Sequence, residues 1–168
     1  MKTNSEICKA FARGNVENYR NFYNNIFFET DLQDNRTLYS YGHHFAIARI
    51  DRDGNCFFTT RSYSVTTAKH INLAASALRY YKLINCPYPD NSAKSFEYWR
   101  KELEYIEKDL VRARNKARRG DAINKIVNEI KTYCGVTGCK RPGYLSKFVR
   151  IANTLQPTKA AIKAVKGC

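Results

Sequence analysis

No stretch of this 168-residue chain approaches the roughly 20 consecutive apolar residues that a transmembrane helix needs. The first ten residues contain no apolar core of the kind a secretory signal peptide carries. The chain therefore reads as soluble and cytoplasmic. It also has no glycine-rich phosphate loop, since Gly135 and Gly138 lack the following Lys-Ser/Thr. His-Glu-x-x-His and nucleophile-elbow patterns are missing too. Acidic residues are scarce: 15 Asp and Glu face 29 Lys and Arg, a formal charge of +14. The shortage is uneven, about +3 over residues 1–93 and about +11 over 94–168. It is most acute at Arg112, Arg114, Lys116, Arg118 and Arg119, with no acid between Val111 and Gly120. Such asymmetry points to a polyanionic partner, and nucleic acid is the expected class.

What is present argues for a folded protein. Aromatic content is 13%, with 12 Tyr and 9 Phe, which separates the chain from disordered sequences. Six cysteines occur, and a reducing compartment makes free thiols the expectation. Cys56, beside Phe57 and Phe58, reads as core. Cys134 and Cys139, with four residues between them, resemble half of a zinc site, but no second Cys/His pair completes four ligands. No metal and no small-molecule cofactor are expected.

Residues 4–13 suit a first helix stopped by Gly14. From Tyr19 to Ile26 the aromatic spacing fits a helix, whereas Ile26 to Phe28 suits the start of a strand. Residues 38–50 read as one strand, with Phe45, Ile47 and Arg49 on one face and His44, Ala46, Ala48 and Ile50 on the other. Asp53-Gly54 signals a hairpin turn, and 56–63 is the return strand. Ser64 to Thr67 offer caps for a helix to about Lys82. Prolines at 87 and 89 mark a loop over 85–91. Beyond it, Phe96, Trp99, Leu103, Ile106, Leu110, Ala113 and Ala117 form a heptad seam of one long helix, ended by Gly120. Asp121 then caps a second helix burying Ile123, Ile126, Val127 and Ile130, so that the two form a helical hairpin. Residues 143–155 form another amphipathic helix, and Pro157 opens a last one. The fold class is α+β: a small antiparallel sheet packed by a helix, then a mostly helical C-terminal part. Residues 1–86 hold the 38–63 hairpin and 87–168 the basic helices, within one continuous globular unit. No internal repeat is visible.

The basic run is the first candidate site. Cations at a helix C-terminus complement its dipole, but one or two suffice for that. Five without an acid exceed the need and suit phosphate, for which arginine is the better fork. In the heptad frame Tyr98 and Tyr105 share the position of Arg112 and Arg119. That stripe would set rings for stacking on unpaired bases beside cations, unless the rings pack inward. Thr66 and Thr67 at a helix start, with Lys69 and His70 in the first turn, offer an anion site or simple capping. His43, His44 and His70 are the acid–base candidates, although neighbouring strand histidines diverge and no carboxylate set accompanies them. No catalytic residue is assigned.

Residues 38–45, Leu-Tyr-Ser-Tyr-Gly-His-His-Phe, the Asp53-Gly54 turn and residues 63–70, Tyr-Ser-Val-Thr-Thr-Ala-Lys-His, resemble a pattern in small uncharacterised proteins of bacteriophages. The resemblance spans 38–70 and leaves the basic run outside it. It implies a phage accessory protein acting on host machinery, and no particular activity. The expected function is non-enzymatic binding of RNA or DNA. The alternatives are an inhibitor of a host defence complex, of anti-CRISPR type, that engages the host nucleoprotein, and a nuclease.

Overall fold

The computed structural model describes residues 2–14, 19–20 (backbone only), 25–62 and 64–155. Two compact units divide the chain, Met1–Ser95 and Phe96–Cys168. The fold is α+β, with a mostly helical C-terminal part.

In the first unit, α1 (Asn4–Arg13) is capped by Thr3 and Glu6, each side chain reaching the other's backbone, and ends at Gly14 in the left-handed region. Strands β1 (Tyr19–Arg20), β2 (Ile26–Thr30), β3 (Arg36–Ser40), β4 (Ala46–Ile50), β5 (Cys56–Thr59) and β6 (Leu83–Cys86) form one sheet in sequence order. Every neighbouring pair is antiparallel except β5 and β6, whose parallel pairing requires the crossover helix α2 (Val65–Ala77). Of the aromatic stretch, Tyr19–Arg20 and Ile26 onward are strand rather than helix; Phe22 and Tyr23 lie outside the described residues. Helices α1 and α2 cover one sheet face. Ile7, Phe11, Ala74 and Leu78 meet Ile26, Phe28, Leu38 and Ile47 in a continuous core.

The structure departs from the sequence pattern of this unit at four places. The strand over 38–50 is two strands, β3 and β4, reversed at Tyr41 (φ 56°) and Gly42 (φ 118°). Gly42 tolerates that backbone without strain; Tyr41 is held there by stacking on His70, ring centroids 5.4 Å apart. The alternation in β4 also fails. Leu38 pairs Ala48 while Tyr39 pairs Ala46, so Ile47 is an extra, bulged residue, and Ile47 and Ala48 both join the core. Finally, Asn85 and Cys86 belong to β6, not to a loop, and α2 stops at Ala77.

The structure also contains a repeat that the sequence reading lacks. The β2–β3 and β4–β5 turns are the same five-residue device, starting at Asp31 and Asp51 and closing at Asn35 and Asn55. In each, the Asp Oδ1 accepts from the backbone N–H groups two and four residues on. The Asp Oδ2 accepts from the Asn Nδ2 at 2.8 and 2.9 Å. Asp34 and Gly54 supply the positive φ at equivalent places.

In the second unit the 96–117 heptad seam breaks. Helix α3 (Ser92–Leu110), which starts at the end of the first unit, stops at Leu110, and α4 (Lys116–Thr137) begins after a short turn with Asn115 as its cap. Asn115 Oδ1 accepts from the Arg118 N–H at 3.0 Å. Gly120 lies inside α4 rather than ending α3, and Gly138 terminates α4. An added Cβ at Gly120 would meet Leu155 Cβ at 2.9 Å, so this glycine lets α5 (Leu145–Leu155) pack closely. The helical hairpin itself forms. Phe96 and Trp99 pack edge-on against Tyr133, Trp99 Nε1 donates to Glu129 Oε2, and at the turn end Arg119 pairs with Asp109. The segment opened by Pro157 lies outside the described residues.

Candidate nucleic-acid interface

The basic run occupies the α3–α4 turn and the first turn of α4. Arg112 and Arg114 stand in the turn, and Lys116, Arg118 and Arg119 on the new helix; all but Arg119 are exposed. Arg119 is half-buried and reaches back to Asp109 at 2.5 Å. Among the described residues, the ion pairs involve none of Arg112, Arg114, Lys116 and Arg118. A depression of about 300 Å³ lies between Ala113, Arg114, Asn115, Arg118 and Arg119.

The reversal of helix polarity changes the electrostatics. On a single long helix these cations would sit near a C-terminus, where the dipole welcomes them. Lys116, Arg118 and Arg119 sit instead at the start of α4, whose first turn holds no acid, while Arg112 and Arg114 stand in the turn just past the C-terminus of α3. The unpaired N–H groups there are already equivalent to roughly half a positive charge. Lys116, Arg118 and Arg119 therefore add to a positive end. The dipole of α3 accounts for Arg112 and Arg114 at most; dipole complementation does not explain the three cations on α4, and a bound anion would relieve them.

The break also dissolves the Tyr-Tyr-Arg-Arg stripe. Tyr98 and Tyr105 share a face of α3, but the helix ends before Arg112, so heptad phase no longer relates them. Tyr105 is 66% exposed, and Tyr98 is half-buried with partners of its own. Lys69 lies in the other unit, exposed on α2.

The proposed anion site around Lys69 does not assemble. Ser64 Oγ caps α2 by accepting from the Thr67 N–H, and the Thr67 hydroxyl is buried against it at 3.0 Å. Capping accounts for these hydroxyls. His70 is 2% exposed, and its ring is fully engaged: Nδ1 lies 2.7 Å from Ser40 Oγ and Nε2 lies 3.2 Å from Asn4 Nδ2. This resembles a Ser-His-Asn triad, yet the protons run the wrong way. Asn4 Nδ2 can only donate, so Nε2 accepts and the ring proton sits on Nδ1, which donates to Ser40. Burial pushes the His70 pKa below its ordinary value, keeping the ring neutral. Ser40 is 1% exposed, so no substrate reaches it. The arrangement is a buried latch joining α1, β3 and α2.

His43 and His44 lie in the β3–β4 turn rather than on a strand. His43 Nε2 meets Glu29 Oε2 at 2.9 Å, beside Phe27 and Tyr39. Tyr39 and Ser40 face opposite sides of β3, so His43 and His70 serve opposite faces of the sheet. Burial raises the thiols of Cys8 and Cys56 to about 12, as suits core residues. Cys134, beside Cys139, is raised to about 11 by burial and by that neighbour. Among the described residues, no group of three or more His, Cys, Asp or Glu is placed to hold a metal.

Residues 12–82 match the model of a family of unknown function (DUF8033), less than half of the chain. The match runs from the end of α1 to just before β6, and leaves the α3–α4 turn outside it. No curated protein and no solved structure matches the chain. No helix among the described residues is long and apolar enough to cross a membrane.

Proposed function

We propose that this protein binds nucleic acid without chemical change, gripping phosphates with the α3–α4 turn. One observation carries the reading. Arg112 and Arg114 in the turn, and Lys116 and Arg118 at the positive first turn of α4, stand exposed and without acidic partners among the described residues. Three of the four are arginines, whose planar forks suit phosphate oxygens. Tyr105 lies five residues before the end of α3, about 8 Å along its axis, near enough to stack a base of a strand crossing the turn. Lys69 belongs to the other unit and Tyr98 has partners of its own, so this grip is built without them. The resemblance of residues 38–70 supports a phage accessory protein acting in the cytoplasm of a bacterial host.

A second reading has its own observation. Val111, at the tip of the same turn, is 86% exposed among the arginines. An apolar tip ringed by cations also suits an acidic protein surface, as an inhibitor of a host defence complex would need. Purified protein titrated against labelled single-stranded RNA, single-stranded DNA and duplex DNA separates the two. Binding that weakens steeply with salt, with the nucleic acid recovered intact, supports the first. No binding at moderate salt overturns it and leaves the protein-partner reading. Cleavage of the probe would contradict the non-enzymatic part.

A further inference from the structure

The small net charge of the first unit conceals a segregation. The helical layer, residues 2–13 and 64–82, carries Lys2, Lys9, Arg13, Lys69, Arg79 and Lys82 against a single acid, Glu6. That carboxylate is committed to the α1 capping box. The other described acids of the unit lie outside these two helices: Glu29 on β2, Asp31, Asp34, Asp51 and Asp53 in the strand-connecting turns, and Asp90 in the turn before α3. The helices thus present a basic surface of their own, independent of the α3–α4 turn.

A cleft of about 600 Å³ runs between α1 and the end of α2. Half-buried Ala12, Leu73 and Ala77 form its floor, and exposed Lys9, Arg13, Arg79 and Tyr80 stand around it. Tyr81 closes the base by donating to the Ala12 carbonyl at 2.8 Å, while Tyr80 turns outward at 86% exposure. The Arg79 guanidinium lies 4.7 Å from the Tyr80 ring centroid. Among the described residues, no ion pair involves Lys9, Arg13 or Arg79. The dipoles of α1 and α2 account for one cation at each C-terminal end. They account neither for Lys9 nor for a phenol left in water between cations.

We infer that this cleft is a second nucleic-acid contact and that it takes a single strand. Lys9, Arg13 and Arg79 neutralise successive phosphates. Tyr80 offers its face to one base, which must be unpaired to reach it, and Arg79 stacks behind the ring. A duplex keeps its bases covered and gains only the charge term.

The test uses the full chain and four exposed-residue variants: Tyr80→Ala, Tyr80→Phe, the triple Lys9→Ala/Arg13→Ala/Arg79→Ala, and the quadruple Arg112→Ala/Arg114→Ala/Lys116→Ala/Arg118→Ala. Each is checked for an unchanged melting temperature, then titrated against single-stranded and duplex probes over a salt series. Tyr80→Ala is expected to weaken single-strand binding roughly 5- to 150-fold and to leave duplex binding alone. Tyr80→Phe is expected to bind as the parent does. The triple variant lowers the single-strand salt slope by about 2. Tyr80→Ala and triple variants that bind like the parent overturn the cleft, whatever the quadruple variant does. A quadruple variant that binds normally while the cleft variants fail overturns the turn and keeps the cleft. A parent that binds neither probe overturns both, and an acidic protein becomes the partner for these faces.

Discussion

His70 shows how far a residue's type can mislead about its job. A histidine one turn into a helix, beside threonines and a lysine, looks like an anion ligand, and beside Ser40 it looks like a base. Both hydrogen bonds are instead spent inside the fold. His70→Gln should destabilise the protein by about 1–3 kcal/mol, since Ser40 and Asn4 lose a buried partner, and should leave nucleic-acid affinity unchanged. The pH dependence has a definite sign. Folding lowers the pKa from its ordinary 6.5, so the unfolded chain takes the proton first as pH falls. The contribution of His70 is complete above pH 6.5 and is lost as pH drops toward the lower folded value. Denaturant titrations at pH 7.5, 6.5 and 5.5 should therefore show the gap between parent and His70→Gln narrowing in acid; a gap independent of pH would refute the buried neutral ring. Arg118 and Arg119 differ just as sharply. Arg118→Ala should weaken binding and leave the melting temperature alone. Arg119→Ala removes a partly exposed ion pair with Asp109 and should cost at most about 1 kcal/mol of stability.

At the scale of elements, the decisive feature is where one helix ends and the next begins. The hydrophobic seam from Phe96 to Ala117 continues in the sequence, but the chain turns after Leu110 because Asn115 caps a new helix and Gly120 is needed inside it. Asn115→Ala should cost about 0.5–2 kcal/mol by freeing the start of α4. Gly120→Ala is the sharper test. Helix propensity alone favours alanine by about 1 kcal/mol, yet the new Cβ would sit 2.9 Å from Leu155 Cβ. Displacing α5 should reverse the sign and lower stability by about 1–3 kcal/mol; a raised melting temperature would show that α5 yields freely. Local signals were readable where one residue fixes the backbone: Gly14 closing α1, Asp53-Gly54 turning the second hairpin, Ser64 capping α2. Signals that depend on tertiary company were not. The turn at Tyr41 needs His70 to stack on, the bulge at Ile47 is invisible in alternation, and β6 is strand only because β5 lies beside it. The matching turn at Asp31 carries a weaker signal because it lacks the glycine, although its Asp and Asn stand at the same spacing. The basic run was legible as composition, but its placement across the α3–α4 turn and the positive first turn of α4 was not, because the seam conceals the break.

On the scale of the whole molecule, the described residues gather cations into two basic surfaces on different units, one at the α3–α4 turn and one along α1 and α2. A protein balanced only for solubility would intersperse acids among these cations. Concentrating them opposes folding slightly and favours any polyanion that spreads over them. The central claim is that the turn grips phosphates, and the most direct measurement is the salt dependence of binding to duplex DNA. The parent is compared with the quadruple Arg112→Ala/Arg114→Ala/Lys116→Ala/Arg118→Ala variant at matched melting temperature. Loss of four phosphate contacts should shrink the slope of log affinity against log salt by about 3.5. Equal slopes for parent and variant, with binding retained, would mean that these residues touch no phosphate and that the turn faces something else.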